Sequence, residues 1–183
     1  MLEKTEIRIA GLGGQGVVLA GQLLAKAAVY DGKHVVQTQS YGAEARGSAA
    51  QSEVIISDHV IKYPKVRQCD ILIAMSQPAL NKYVENLKEG GVLLLDKDMI
   101  KTVPKLEAKI FQVPATSTAE AKLKRKIYAN TVMLGALTKA TRIISQEAMK
   151  STIKNSVPKE MLRENLRGFQ LGLQLVEDLR AAT

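Results

Sequence analysis

The chain alternates between short apolar runs and longer segments whose apolar positions recur every three or four residues. Short runs bounded by turn residues are typical of β-strands, and the longer repeat is typical of amphipathic helices. The pattern predicts strands at Glu6–Ala10, His34–Gln39, Ala50–Ser57, Asp70–Met75, Val92–Asp96 and Lys109–Val113. It predicts helices at Gln15–Tyr30, Gln77–Lys88 (ended by Glu89-Gly90-Gly91), Thr116–Ile127, from Asn130 onward, at Gln146–Ile153 and at Pro158–Arg180.

This order of elements predicts an α/β fold over residues 1–183 as a single domain. We expect a three-layer, Rossmann-like, mainly parallel sheet with helices on both faces and a helical C-terminal part. The first helix joins the first two strands as a βαβ unit, so His34–Gln39 is expected to pair parallel with Glu6–Ala10 through a right-handed crossover. The short link to Ala50–Ser57 predicts at least one antiparallel strand.

The last predicted helix carries one apolar stripe, in which steps of four and three residues alternate. The stripe consists of Leu162, Leu166, Phe169, Leu173 and Val176. Two glycines one turn apart in this helix, Gly168 and Gly172, would let another element approach closely. We expect the stripe to pack within the monomer, and a subunit interface is the alternative.

The most distinctive stretch is Gly11-Leu12-Gly13-Gly14-Gln15-Gly16, which joins the first predicted strand to the first predicted helix. Its four glycines permit positive φ and bring backbone N–H groups close to an anion, and the following helix adds the positive end of its dipole. We therefore predict a binding surface for an anion or a partner subunit, made by Gly11, Gly13, Gly14, Gln15 and Gly16.

The second predicted strand disfavours a dinucleotide site of the usual kind. Such a site needs an acidic residue about 20 positions after the glycines, where it binds the ribose hydroxyls. The residues at that place are Val36–Gln39, and none of them is acidic. The glycine turn can still bind a phosphate through its backbone alone.

A second candidate loop, Ser40–Ser48, follows that strand and includes Ser40, Tyr41, Gly42, Glu44, Arg46 and Gly47. Ligand-binding loops cluster at the carboxyl edge of a parallel sheet, so we expect this loop beside the glycine turn. The alternative, with even support, is a structural loop in which Glu44 and Arg46 pair only to fix its geometry.

Composition and charge narrow the function classes. The apolar fraction of 46% is typical of a soluble protein, no run is long enough to span a membrane, and residues 1–6 lack a signal-peptide pattern, so we expect a cytoplasmic protein without membrane association. The net charge is +8, but aromatic residues make up only 4% and no nucleic-acid-binding motif occurs. The charge therefore favours a polyanionic ligand or an acidic protein partner over nucleic acid.

Side chains for metal or thiol chemistry are scarce. The single cysteine, Cys69, cannot form an internal disulfide, and an iron–sulfur cluster needs about four cysteine ligands. Its place in an apolar run predicts a small buried residue. His34 and His59 lack neighbouring ligands, so no metal site is predicted.

Candidates for acid–base catalysis are equally few. Asp96 and Asp98 follow a strand and are candidates for the ligand edge, although a solvated loop is the favoured interpretation. Asn130 at a helix start is expected to be a cap. The chain is rich in binding features and poor in catalytic ones, which suggests a subunit of a larger enzyme.

Four motifs occur in a fixed order over nearly the whole chain. They are Gly11-x-Gly-Gly-Gln-Gly16, Ser40-Tyr41-Gly42-x-Glu44-x-Arg46-Gly47, Val54-Ile55-Ile56-Ser57 and Asn130-x-x-x-Leu134-Gly135-Ala136. In this combination the sequence resembles the gamma subunit of 2-oxoacid:ferredoxin oxidoreductases, and residues 36–42 most resemble the 2-oxoglutarate branch. One departure is Ser48, where relatives usually have a second glycine after the arginine, so a loop that needs positive φ there would be strained.

The resemblance implies an enzyme of alpha, beta, gamma and delta polypeptides that decarboxylates a 2-oxoacid on thiamine diphosphate. Electrons would pass through iron–sulfur clusters to ferredoxin, and the acyl group to coenzyme A. Thiamine diphosphate, magnesium and the clusters are expected on partner subunits, because this chain lacks their binding motifs. The gamma chain would complete the active-site cleft and help seat coenzyme A, using the glycine turn Gly11–Gly16 and the neighbouring loop Ser40–Gly47.

Three alternatives remain at this level. The first is the pyruvate or 2-oxoisovalerate branch of the same family, because the pocket that selects the 2-oxoacid is expected mainly on other subunits. The βαβ unit also admits a self-sufficient, nucleotide-binding oxidoreductase. The third alternative is a binding or scaffold module without a part in the reaction.

Overall fold

A β-sheet forms the centre of the protein in the computed structural model, which describes residues 4–42 and 49–181 and side chains as far as Val176. Its strands are β1 (Lys4–Leu12), β2 (His34–Tyr41), β3 (Ala49–Ser57), β4 (Cys69–Ala74), β5 (Leu87–Asp96) and β6 (Lys109–Val113). Their order in the sheet is β2-β3-β1-β4-β5-β6. β1, β4, β5 and β6 are parallel neighbours, whereas β3 runs antiparallel to β1 and to β2. The mainly parallel α/β sheet and its antiparallel strand are confirmed.

The predicted pairing of the first two strands is wrong. β3 lies between β1 and β2, and Ala50 is opposite both Gly11 and Tyr41. β2 therefore runs in the same direction as β1 but has no hydrogen bonds to it. The right-handed crossover rule concerns two parallel strands joined by one connection, and it does not require them to be adjacent. Here β3 pairs through both of its edges and so lies between β1 and β2.

Helices cover both faces of the sheet, as predicted. They are α1 (Val17–Tyr30), α2 (Gln77–Tyr83), α3 (Ala115–Leu123), α4 (Ala129–Thr141), α5 (Gln146–Ser156) and α6 (Lys159–Ala181). One core cluster joins α1, α3, α4, α5 and α6 to the sheet, and a smaller cluster lies on the opposite face beneath α2. Among the described residues, none of the helices has both the length and the apolar composition that crossing a membrane requires.

The helix predicted at Gln77–Lys88 is too long. α2 ends at Tyr83, a 3-10 turn follows, and β5 already begins at Leu87. Gly90 and Gly91, read as a helix stop, lie inside β5, where a Cβ on Gly91 would lie 2.9 Å from the carbonyl oxygen of Asp70. Gly91 thus permits close contact between β4 and β5, whose register shifts at this point, while Gly90 takes a positive φ of +72°.

The apolar stripe of α6 packs within the monomer, as expected. Phe169, Leu173 and Val176 are buried in the main core. A Cβ on Gly172 would collide with the backbone oxygen of Val132 in α4, so the absence of a side chain lets the two helices approach closely.

Candidate functional site at the carboxyl edge of the sheet

The glycine turn follows β1, at the point where the helices after two neighbouring strands pack on opposite faces of the sheet. β1 and β4 are parallel neighbours, but the helix after β1 packs on one face of the sheet and the helix after β4 packs on the other. The two strands are tied at their carboxyl ends by a hydrogen bond from the backbone N–H of Met75 to the carbonyl oxygen of Ala10, at 2.8 Å. In open α/β sheets, a crevice that binds ligands forms where neighbouring strands lead to helices on opposite faces.

Gln15 holds the turn against the neighbouring strand. Its side-chain Oε1 accepts a hydrogen bond from the backbone N–H of Leu12, and its Nε2 donates to the carbonyl oxygen of Met75, both at 2.7 Å. The backbone N–H of Gln15 also donates to the carbonyl oxygen of Leu12. The side-chain amide of Gln15 therefore has a structural role. Its predicted part in binding would be indirect, because it fixes the backbone whose N–H groups would bind the anion.

Asn130 holds the end of the turn. Gly16 is the N-cap residue of α1 with φ +73°, and a Cβ there would collide with the side-chain amide of Asn130. That amide donates to the carbonyl oxygen of Gly16 at 3.3 Å, while its Oδ1 accepts from the backbone N–H of Thr131 at 2.7 Å. Asn130 is 1% exposed. The expected helix-cap role of Asn130 is wrong, because the N-cap residue of α4 is Tyr128 and Asn130 is the second residue of the helix. Asn130 instead ties α4 to the glycine turn, a long-range contact that no local pattern reveals.

The outer part of the turn faces solvent. Gly13 and Gly14 are exposed, and Gly14 has φ +89° with open space where a Cβ would project. The N-terminus of α1 has no side-chain cap and no acidic residue in its first turn. Backbone N–H groups at such a terminus lack partners within the helix and favour negative charge. The arrangement is suited to binding an anion and contains no acid–base or nucleophilic group.

The second candidate loop begins at the same edge of the sheet. Tyr41 ends β2 opposite Ala50, which is also opposite Gly11. Tyr41, at the start of this loop, is therefore separated from Gly11 by two strand spacings, about 10 Å. Ser40 and Tyr41 are exposed, and the backbone N–H of Gly42 donates to the carbonyl oxygen of Ala49. The remaining predicted residues of this loop, Glu44, Arg46 and Gly47, lie outside the described residues, as does Ser48.

The solvated-loop interpretation of Asp96 is wrong. Its carboxylate is buried and accepts hydrogen bonds from the Thr116 hydroxyl at 2.5 Å and from the backbone N–H of Asp98 at 3.1 Å. Burial raises the pKa of Asp96, while these hydrogen bonds act in the opposite direction. Asp98 accepts from the backbone N–H of Ser117 at 2.7 Å. Both carboxylates thus anchor the first turn of α3, a structural task at the ligand edge.

Cys69 is buried, as predicted. Its thiol lies 3.6 Å from the carbonyl oxygen of Asn86, and burial raises its pKa to about 11. Within residues 4–42 and 49–181, no cluster of three or more His, Cys, Asp or Glu side chains is arranged to hold a metal ion. The described part of the chain therefore offers a binding edge without a thiolate or metal centre.

Comparison with known proteins identifies related sequences over nearly the full chain. The family described as pyruvate ferredoxin/flavodoxin oxidoreductase matches residues 6–175. The 2-oxoglutarate synthase subunit KorC from Methanothermobacter thermautotrophicus is 53% identical over 180 residues, which covers 94% of this chain and 95% of that subunit.

Two solved structures have the same fold. The gamma subunit of a keto/oxoacid ferredoxin oxidoreductase from Geobacter sulfurreducens superimposes with a TM-score of 0.85 and 43% identity, covering 95% of this chain and 99% of that one. The 2-oxoglutarate:ferredoxin oxidoreductase from Magnetococcus marinus, solved with 2-oxoglutarate, coenzyme A and succinyl-CoA bound, gives a TM-score of 0.87 at 25% identity. It covers 96% of this chain, which spans 31% of that longer polypeptide.

Proposed function

The chain belongs to the pyruvate ferredoxin/flavodoxin oxidoreductase family, as its motifs predicted, and we propose that it is the gamma subunit of a 2-oxoglutarate:ferredoxin oxidoreductase. The 2-oxoglutarate branch is supported by 53% identity to a 2-oxoglutarate synthase subunit over nearly all of both chains. The enzyme would oxidatively decarboxylate 2-oxoglutarate, transfer the succinyl group to coenzyme A and pass electrons to ferredoxin.

In this proposal the chain contributes binding, and its partners contribute the redox chemistry. Alpha, beta and delta subunits would hold thiamine diphosphate, magnesium and the iron–sulfur clusters. The gamma chain would complete the active-site cleft from the carboxyl edge of its sheet.

The observation that carries this role is the exposed and rigidly held glycine turn. Gln15 fixes it to β4 and Asn130 fixes it to α4, whereas Gly13 and Gly14 face solvent. Because the turn is held in place before any ligand arrives, little conformational entropy is lost when a phosphate binds to its N–H groups. A phosphate of coenzyme A is the anion that the proposed reaction supplies, so we assign the turn to coenzyme A.

Purification from the native cell tests the assignment to a multisubunit enzyme. We expect this chain to be recovered together with a thiamine-diphosphate-binding subunit and an iron–sulfur subunit. The complex should reduce ferredoxin faster with 2-oxoglutarate than with pyruvate or 2-oxoisovalerate. Recovery of the chain without such partners would contradict the proposal, and a preference for another 2-oxoacid would overturn only the choice of branch.

The position of β3 disfavours a self-sufficient nucleotide-dependent oxidoreductase. A dinucleotide site uses the end of a second strand adjacent to the first, and here β3 separates β2 from β1. Titration of the purified chain with NAD, NADP and FAD should show no tight binding, whereas tight binding of any of them would favour the nucleotide-dependent alternative.

A further inference from the structure

A strongly basic turn connects α3 to α4. We call it the basic turn and define it by its four exposed cations, Lys122, Lys124, Arg125 and Lys126. The described residues provide one ion pair for it, between Lys126 and Glu120 at 3.6 Å, with both side chains largely exposed. Four cations and one carboxylate leave this segment with a net charge of +3.

The end of α3 accounts for two of these cations. Lys122 lies in the last turn of the helix, where a positive charge complements the dipole. Lys124 is the C-cap residue at φ +66°, and its Nζ donates to the carbonyl oxygen of Ala121 at 3.4 Å. Arg125 and Lys126 lie beyond the helix end, and in the described part of the chain Arg125 forms no ion pair. Stabilisation of the C-terminus of α3 therefore does not account for the positive charges of Arg125 and Lys126.

The basic turn lies beside the glycine turn. Lys126 begins the 3-10 segment that leads into α4, and Asn130 is the second residue of α4. Four residues at the rise of these helices place Lys126 about 7 Å from Asn130 along the chain. Since Asn130 contacts Gly16 directly, long side chains of the basic turn are within reach of a ligand that occupies the glycine turn.

We propose that the basic turn is a second anion subsite, which binds the ribose 3′-phosphate of coenzyme A through Arg125 and Lys126. The inference rests on the proposed function, in which the glycine turn binds the coenzyme's diphosphate. Coenzyme A carries two anionic groups separated by one ribose, and the chain presents two adjacent anion-binding features at one edge. Arg and Lys side chains are the usual charged partners of phosphate oxygens.

The test is a comparison of coenzyme A with 3′-dephospho-coenzyme A in the assembled complex. In Arg125→Gln/Lys126→Gln, the KM for coenzyme A should rise about three- to tenfold, the range expected for two exposed charge pairs, while the KM for the dephosphorylated form stays unchanged. The matched control is Lys65→Gln/Arg67→Gln, which removes the same charge from exposed positions preceding β4, near its amino end. It should leave both constants unchanged. The charge-preserving Arg125→Lys/Lys126→Arg should retain most of the preference for coenzyme A.

Each other outcome overturns the inference. An equal rise for both coenzymes, or no rise, would remove the 3′-phosphate from this subsite, and a changed KM for ferredoxin alone would assign the basic turn to an acidic protein partner. Gly14→Val separates this failure from failure of the proposed function. It should raise the KM for both coenzymes, and a complex in which it changes neither would contradict the role of the glycine turn itself.

Discussion

The side-chain amide of Asn130 donates a hydrogen bond to the carbonyl oxygen of Gly16 at 3.3 Å, joining residues that lie 114 positions apart in the sequence. Asn130 is buried at the start of α4, and Gly16 is the last residue of the glycine turn. The contact makes the position of the turn depend on packing between the first and the fourth helix, so the turn is fixed before a ligand binds.

A double-mutant cycle tests this contact. Gly16→Ala should lower the free energy of unfolding by about 2–4 kcal/mol, because a side chain at φ +73° is strained and its Cβ collides with Asn130. Asn130→Ala should cost about 1–3 kcal/mol, because the buried backbone N–H of Thr131 loses its acceptor and the Gly16 carbonyl loses one of its two donors. In the double variant the collision is absent, so its cost should fall below the sum by about 1 kcal/mol or more. Additive values in urea denaturation would contradict the proposed contact.

The sheet shows what sequence patterns predict and where they stop. Apolar runs located five of the six described strands to within two residues at each end, because burial dictates those runs, whereas β5 begins five residues before its predicted start. The pairing of β2 was wrong, because whether Ala49–Ser57 pairs with one strand or enters between two depends on contacts that no local window contains. The same limit applies to Leu87, whose apolar spacing with Leu80 and Tyr83 fits a helix, although pairing with β4 places it in a strand.

The candidate site was predictable only in part. The sequence reveals the glycine turn because Gly14 and Gly16 have a positive φ, which glycine tolerates better than other residues. The roles of Gln15 and Asp96 were not found, because their partners Met75 and Thr116 come from other elements. The sequence alone therefore located the glycine turn, whereas the side chains that hold it in place could be identified only from the folded structure.

Close packing of α4 and α6 gives a graded prediction for two glycines. Gly172→Ala should reduce the free energy of unfolding by about 3 kcal/mol or more, since its Cβ would meet the backbone of Val132 and Ala136. Gly168→Ala should cost less, about 1–2 kcal/mol, because its nearest contact is the Thr131 hydroxyl, at 2.7 Å, and not a backbone atom. Equal costs for the two variants in thermal or urea unfolding would contradict this packing.

Asp96 predicts a pH dependence of stability. Burial raises its pKa in the folded protein, so the folded state holds this proton more tightly than the unfolded chain does. Its stabilising contribution is therefore present at low pH and is lost as pH rises through the folded pKa. Asp96→Asn removes this titration, so the unfolding free energy of the wild type relative to the variant should fall as the pH rises above 3.8, the ordinary pKa of an aspartate. A constant difference would contradict the assignment.

Cys69 should react only when the protein opens. With a pKa of about 11, about one thiol in a thousand is ionised at pH 8, and the side chain is also shielded from solvent. Alkylation by iodoacetamide at pH 8 should be at least about a hundredfold slower in the native chain than in urea. A native rate within tenfold of the unfolded rate would show that the thiol is accessible.

Gly14 and Gly32 form a matched pair for testing the glycine turn itself. Both have positive φ, +89° and +75°, and both have open space where a Cβ would project. Gly32 follows the C-terminus of α1, about 20 Å from the start of that helix. A substitution by valine therefore introduces similar backbone strain at both positions but alters the proposed coenzyme site only at Gly14.

The most direct test of the account is the KM for coenzyme A of the assembled complex carrying Gly14→Val or Gly32→Val. We predict a rise of about tenfold or more for Gly14→Val, because losing a backbone anion contact costs about 1.4 kcal/mol or more. Subunit assembly should be retained, and Gly32→Val should have the wild-type KM. Equal values for the two variants would contradict a role of the glycine turn in binding coenzyme A.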